Sequence, residues 1–380
     1  MVDGNKIAYL DYNASAPIDE RVLEYMFEVY KTYPGNADSR THEYGANAKQ
    51  IVSNSRSTIC EILGISDTEL VFTSGSTESN NLAILGLYEH AKKVGRTHFI
   101  TTSIEHKSVL EAMKRLQSMG CEVDFVVPDA SGRVQAADVL SKIKDTTLLV
   151  SVMHVNSETG IIQPVSEIGE ALAKTNVYFH VDATQSFCKL NDEIRRMKYD
   201  MLSFTAHKFG GPQGIGGLVL RRKRYRLPPI TPLFCGGQQE RGIRPGTTPV
   251  ALVAGMAKAA ELSNQECAQS MERCMAIKEQ LLQQLSGLRY AINGDPNYCI
   301  PNTINISFED IDAESLFVAL KSNFAFSNGS ACNSGSFTPS YVLTEMGLSP
   351  QRIGEAIRIS WSATEDVDFT VLAECIRQLQ

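Results

Sequence analysis

From residue 70 to residue 220 the chain alternates short apolar runs, rich in β-branched and aromatic residues, with longer stretches whose apolar positions recur at helical spacing. The runs at 70–73, 98–102, 123–127, 147–153, 177–181, 201–204 and 217–220 read as strands. Those at 77–91 and 108–119 read as helices. Such alternation predicts a mainly parallel sheet covered by helices on both faces. After Pro249 a long helical stretch over 251–285 leads into a second, smaller α+β unit, with strands at 303–308 and 357–360 and a helix at 313–320. The expected division is a large α/β domain over 15–255 and a small domain built from 1–14 and 256–380.

At 380 residues and 43% hydrophobic content the chain can bury a large core. Its formal net charge of −7 argues against a dedicated nucleic-acid binder. One basic run, Arg221-Arg222-Lys223-Arg224-Tyr225-Arg226, follows an apolar strand and reads as a solvated strand exit, with contact to an acidic partner or nucleic acid as the minor alternative. The opening residues 1–6 are polar, and no window approaches the ~20 apolar residues of a membrane span, so a cytoplasmic protein without membrane contact is expected. Its nine cysteines are then expected to be mostly reduced. None stands in Cys-x-x-Cys spacing, and no metal site is expected.

Candidate chemistry centres on two strand ends. The run 177–181 ends on Asp182, and Lys208 lies just past 201–204, followed by Gly210-Gly211. In parallel α/β sheets ligands collect at the carboxyl ends of strands, so both side chains are aimed at one crevice. Alone, Asp182 reads as a helix cap and Lys208 as a solvated charge. Together they suit pyridoxal phosphate: the lysine carries the aldehyde covalently, and a buried carboxylate keeps the ring nitrogen protonated.

Other motifs join that pair in order: Thr73-Ser74-Gly75-Ser76-Thr77-Glu78-Ser79-Asn80-Asn81, Glu105-His106-Lys107, His154-Val155-Asn156 and Ser330-Ala331-Cys332. With the Asp182 and Lys208 segments, and over nearly the whole chain from Leu10-Asp11-Tyr12 to Arg358, they make it resemble the cysteine desulfurases of the NifS/IscS type. That resemblance implies a PLP-dependent transferase-like fold (aspartate aminotransferase type, fold type I), with a mainly parallel seven-stranded sheet and a smaller α+β domain. It also implies a pyridoxal 5'-phosphate cofactor, L-cysteine as substrate, a homodimer, and a protein acceptor for the sulfur.

The stretch 74–78 sits where a strand turns into a helix, and it reads either as an anion site or as an ordinary capping box. Given the pair downstream, phosphate binding by Gly75, Ser76 and Thr77 is the better reading, with Thr205 and His207 as further donors. The resemblance implies that Thr247 reaches the phosphate of the partner subunit; here Pro245 stands where the family more often has serine. It also implies that His106 lies against the cofactor ring and shuttles protons, a role suited to imidazole near neutral pH. Gln185 and Asn156 are expected to hydrogen-bond the cofactor's phenolic oxygen, and Asn156 to touch the substrate carboxylate. Asn36, in Pro34-Gly35-Asn36-Ala37, is a weaker substrate-side candidate, since such pairs are common in plain turns.

Arg358 shares one strand face with Ser360, opposite Ile357, Ile359 and Trp361. Its own pattern reads as a solvent-facing arginine. With the resemblance it becomes the bidentate anchor of an amino-acid carboxylate. Cys332 lies in a polar Gly/Ser-rich stretch over 327–336, which reads as an exposed loop able to take up a sulfur atom as a persulfide and pass it on. The other eight cysteines read as packing residues, with Cys235 beside Gly236-Gly237 the one open to exposure. The Ser-Ala-Cys signature and the 26-residue step from Cys332 to Arg358 resemble the long-loop group of the family.

The readings that compete with cysteine desulfurase are another fold-type-I PLP enzyme (an aminotransferase or a selenocysteine lyase) and a non-catalytic partner-binding homologue. A phosphate or nucleotide binder built on residues 74–79 ranks last, for want of Gly-x-x-x-x-Gly-Lys spacing. Only 22 residues follow Arg358, fewer than housekeeping iron–sulfur desulfurases carry, which points to a dedicated role. A DndA-like function in DNA phosphorothioation is favoured over iron–sulfur cluster assembly and tRNA thiolation.

Overall fold

The computed structural model describes residues 7–223, 225–327 and 339–380. Its strands, in chain order, are β1 (Ala8–Tyr9), β2 (Leu70–Thr73), β3 (His98–Thr102), β4 (Glu122–Val126), β5 (Thr147–Met153), β6 (Tyr178–Asp182), β7 (Met201–Thr205), β8 (Gly216–Leu220), β9 (Tyr290–Ile292), β10 (Thr303–Phe308), β11 (Phe324–Ala325) and β12 (Ala356–Ser360). Seven of them form one sheet in the order β2-β8-β7-β6-β5-β3-β4. From β7 to β4 all neighbours are parallel, while β8 runs antiparallel to both β7 and β2. β5, β7 and β8 are buried along their whole length, as continuous apolar runs covered on both faces demand.

Two hydrophobic clusters fill the space on either side of this sheet. One includes Ile59, Phe72, Val152, Phe179 and Phe204, the other Val71, Phe99, Met113 and Leu149. A separate cluster holds Leu10, Ile306, Phe308, Ile357, Ile359 and Trp361 around the three-stranded sheet β12-β10-β9. The helix Val250–Gln284 belongs to both regions. Val253, Met256 and Ala260 pack in the first core, and Cys274, Ile277 and Leu281 in the separate one.

The expected helix over 77–91 is two helices, Ser76–Leu85 and Tyr88–Val94. The break has a tertiary cause. The Gly86 carbonyl accepts from Thr231 N at 2.8 Å, and a Cβ on Gly86 would lie 2.7 Å from Ile230 Cγ2. Edge strand β2 is closed by side chains: Glu240 Oε2 accepts from Phe72 N, while Arg56 Nη1 and Arg241 Nη2 donate to the Leu70 carbonyl. No helix among the described residues is long and apolar enough to cross a membrane.

Candidate active site

Two adjacent strand ends create the site. β6 terminates on Asp182; β7 terminates on Thr205, and one 3₁₀ turn, Ala206–Lys208, carries Lys208 forward. Both side chains line a single cavity of about 360 Å³. Asp182 is buried, with Oδ1 accepting from Thr184 N at 2.9 Å and Oδ2 from Asn80 Nδ2 at 2.7 Å. Lys208 Nζ donates to the carbonyls of Asn13 and Ala14 at 2.6 and 2.7 Å. Burial, with the nearby Arg358 guanidinium adding to it, pulls the Lys208 ammonium down to about 7.

Beneath Asp182 lies a buried polar layer. His180, on the same strand, sits between Ser151 Oγ at 2.8 Å and Ser203 Oγ at 2.9 Å. Burial depresses its pKa to about 4, so at neutral pH it is an uncharged imidazole. His106 caps the helix Lys107–Ser118, with Nδ1 accepting from Ser108 N at 3.1 Å, and it lines the cavity. Burial lowers its pKa too, against a smaller opposing pull from Asp182.

At the other end of the cavity the chain turns at Gly75, whose φ of 152° favours glycine, into the helix Ser76–Leu85. Strand β8 passes so close that a Cβ on Gly216 would stand 2.7 Å from Gly75 Cα. Ser76, Thr77 and His207 line the cavity there, beside first-turn amides that have no intrahelical partner. Thr205 is buried next to Gly75 and gives its hydroxyl hydrogen to the Ile215 carbonyl at 3.2 Å. Ser15 Oγ approaches His207 Nδ1 at 3.3 Å, and burial holds His207 near pKa 4.

Arg358 is not solvent-facing, as its strand pattern alone suggests. Its side chain is 3% exposed because β12 lies between β10 and residues 11 and 327, which bridge to Ser360 and Arg358. Nη2 donates to Asp11 Oδ1 at 2.5 Å and Nη1 to the Ser157 carbonyl at 3.1 Å. Nε is buried without a partner among the described residues, as are Gln185 Oε1 and Thr184 Oγ1 on the same cavity wall. Gln185 Nε2 donates to the Asn13 carbonyl.

Not every candidate faces the cavity. Asn156 is buried and shapes the turn after β5, its Oδ1 accepting from Glu158 N and Thr159 N and its Nδ2 donating to the Ile104 carbonyl. Asn36 is exposed, and its Oδ1 accepts from Asp38 N in an ordinary Asx turn. Thr247 is exposed in the loop between the 3₁₀ turn Gln239–Gly242 and the helix Val250–Gln284. Cys332 lies outside the described residues. The residues flanking 328–338 meet the cavity wall: Ser327 bridges Arg358, Ser340 Oγ donates to Glu158 Oε2, and Tyr341 Oη donates to the Glu105 carbonyl. Of the eight described cysteines only Cys235 is exposed; burial raises the thiol pKa of each of the others.

Sequence reasoning missed Asp11, Asn13, Asn80 and Ser108. Asp11 and Asn80 stand inside motifs that were legible as motifs, but nothing in their spacing tells which side chain meets which.

The aminotransferase class-V family model matches residues 8–368. Cysteine desulfurase IscS from Escherichia coli strain K12 is 40% identical over 371 residues, covering 96% of this chain and 90% of its own length. The crystal structure of DndA from Streptomyces lividans superposes with a TM-score of 0.82 at 41% identity, over 92% of this chain and 98% of that one. A NifS-like protein superposes with a TM-score of 0.89 at 33% identity, over 98% of each chain.

Proposed function

This chain belongs to the aminotransferase class-V family and is a pyridoxal-phosphate-dependent cysteine desulfurase, and from that premise we propose which of its residues carry the reaction and where the sulfur goes. The observation that supports the assignment most is Asp182 and Lys208 in one cavity, at the ends of adjacent parallel strands. The residues present fit the cofactor. Gln185 Oε1 and Thr184 Oγ1 are buried polar atoms awaiting a partner, and the glycine-built turn at Gly75 leaves a helix N-terminus open for a phosphate.

Lys208 is the residue that holds the cofactor aldehyde, and Gly75, Ser76, Thr77 and His207 are its phosphate site. Thr205 belongs there as an acceptor or after rotating its hydroxyl. Asp182 keeps the ring nitrogen protonated, and Gln185 serves the phenolic oxygen, while Asn156 shapes the turn behind the cavity wall. Bound there, the cofactor supplies an electron sink for the electrons released at the substrate Cα. Arg358 offers the substrate carboxylate a planar fork. Lys208, neutral above about pH 7, takes the proton from Cα. His106 assists with protons on the cavity side, by hydrogen-bonding the group that carries them.

Cys332 is the sulfur acceptor. Its thiolate attacks the substrate sulfur, the carbon–sulfur bond breaks as the sulfur–sulfur bond forms, and the carbon takes up a proton to leave as L-alanine. Cys332 stands five positions after Ser327, at most about 18 Å of extended chain, and Ser327 pairs with Arg358 at the cavity wall. Two copies form the working enzyme, with Thr247 of each reaching the phosphate of the other. The destination we favour is DNA phosphorothioation, supported by likeness to DndA across 92% of the chain. In a host lacking its own DndA-type enzyme, this chain should then restore sulfur to DNA; DNA without sulfur would turn the proposal toward cluster assembly or tRNA thiolation.

The absorption spectrum of the purified protein before and after L-cysteine, with alanine and sulfide measured in the same tube, tests the assignment. A visible band that changes as alanine appears supports it. A band without alanine would leave Lys208 and Asp182 in place and move the chemistry to another amino acid.

A further inference from the structure

The helix Ser76–Leu85 and the helix Lys107–Ser118 are separate elements, yet their side chains form one unbroken line from Asp182 to His106. Asn80 Nδ2 lies 2.7 Å from Asp182 Oδ2 and 2.9 Å from Ser108 Oγ. Ser108 Oγ lies 2.8 Å from His106 Nδ1, and Ser108 N lies 3.1 Å from the same nitrogen. Asn80, Ser108 and Asp182 are all buried, so water does not complete or scramble the line between Asp182 and Ser108; the His106 ring at its end is open to the cavity.

The hydrogens in this line have only one consistent arrangement. An ionised carboxylate accepts and never donates, so the Asn80 amide must turn its NH₂ toward Asp182. The second hydrogen of that NH₂ then goes to Ser108 Oγ, which leaves the hydroxyl hydrogen for His106 Nδ1. The Ser108 backbone N–H, a donor only, points at the same atom. Two donors converge on Nδ1, so Nδ1 carries no hydrogen and Nε2 carries it. Asn80 Oδ1, left buried without a partner among the described residues, is what this orientation costs.

We propose that Asn80 and Ser108 are positioning residues that lock His106 in its Nε2–H tautomer, with Asp182 as the fixed end of the line. His106 then meets the cavity as a hydrogen-bond donor at Nε2 and not as a base there. Protonating Nδ1 would set a third hydrogen against two donors, so the line opposes the imidazolium. The charged groups facing the ring are Asp182, which favours the imidazolium, and Lys208 and Lys107, which oppose it. The lock rests on geometry alone; its consequence for turnover rests on the role proposed above for His106.

Nitrogen NMR of the holoenzyme labelled with ¹⁵N-histidine reads the tautomer directly, with His106 assigned by the signals lost in His106→Gln. The expected wild-type pattern is a pyridine-type Nδ1 and a pyrrole-type Nε2. Ser108→Ala and Asn80→Leu should each move the His106 titration midpoint upward, while Ser108→Thr should leave it in place. Alanine formation in Ser108→Ala should fall about tenfold in kcat with KM little changed. An Nδ1–H form in the wild type, or an unmoved midpoint in Ser108→Ala, would overturn the lock. A locked tautomer together with full alanine formation by His106→Gln would support the lock and overturn only the role given to His106.

Discussion

Arg358, buried, and Asp11, half-buried, form an ion pair, Nη2 to Oδ1 at 2.5 Å, that ties strand β12 to the segment following β1. The same segment supplies the Asn13 and Ala14 carbonyls that hold Lys208 Nζ. One short stretch of chain therefore bears on both charged groups of the cavity. A substrate carboxylate entering at Arg358 meets a guanidinium that already has a carboxylate partner, with Nε buried and unpaired among the described residues.

Asp11→Asn removes that neutralising charge and strands a buried guanidinium. Breaking a buried pair at one end typically costs about 3–5 kcal/mol, and the 21% exposure of Asp11 places this one toward or below the low end. The cofactor-free variant should melt several degrees lower, and saturating L-alanine should restore more of that loss than it adds to the wild type. Thermal unfolding with and without L-alanine checks this. An equal drop in both conditions would mean that the carboxylate does not bind at Arg358.

Lys208 has a folded pKa of about 7 against an ordinary 10.5. The amine that captures an aldehyde is the neutral one, so attachment should accelerate about tenfold per pH unit below 7 and level off above it. Stopped-flow absorbance on adding pyridoxal phosphate to the cofactor-free protein reads this slope. Stability moves in the same direction over a higher window: the unfolded chain takes a proton that the folded site resists, a penalty that grows as pH falls from about 10 and is complete below about 7. Lys208→Met should therefore raise the melting temperature of the cofactor-free protein at neutral pH.

Cys332→Ser should abolish persulfide formation and leave the visible cofactor band intact, while Cys235→Ser, at the exposed described cysteine, should change neither. Mass spectrometry after L-cysteine treatment separates the two. Persulfide on Cys235 in the Cys332→Ser variant would reassign the acceptor.

Gly216→Ala places a methyl 2.5 Å from the Phe204 carbonyl oxygen and 2.7 Å from Gly75 Cα, both backbone atoms. Overpacking of this kind costs about 1–3 kcal/mol. Because the displaced atom belongs to the turn that opens the phosphate site, cofactor affinity should fall along with the melting temperature. A stable variant with unchanged affinity would separate Gly75 from phosphate binding.

The strands were legible in the sequence because a run buried on both faces is largely apolar and one in a small sheet alternates, so 70–73 and 147–153 match β2 and β5, and the alternating 303–308 matches β10, to the residue. The two-residue strands β1 and β11 carry no such signal and exist only because residues 316 positions apart meet. The break at Gly86 is equally non-local, since its cause arrives from Thr231. Asp182 and Lys208 could be paired from sequence because both follow strands. Asp11, Asn80 and Ser108 act through partners that no periodicity names. Burial of Arg358 was hidden for the same reason: alternation along a strand says that two faces differ, and it does not say that both are covered.

The helix Val250–Gln284 has a consequence for how this chain can change length. It is packed into one core at its start and another at its end, and Arg358 hangs from the second while Lys208 belongs to the first. One residue inserted midway would rotate everything beyond it by about 100° and advance it about 1.5 Å, carrying the carboxylate anchor out of line with the lysine. Surface loops elsewhere in the chain absorb insertions cheaply. Natural variation in this enzyme should therefore add and remove residues in its surface loops and not within these 35, where the spacing of the chemistry is counted in whole helical turns.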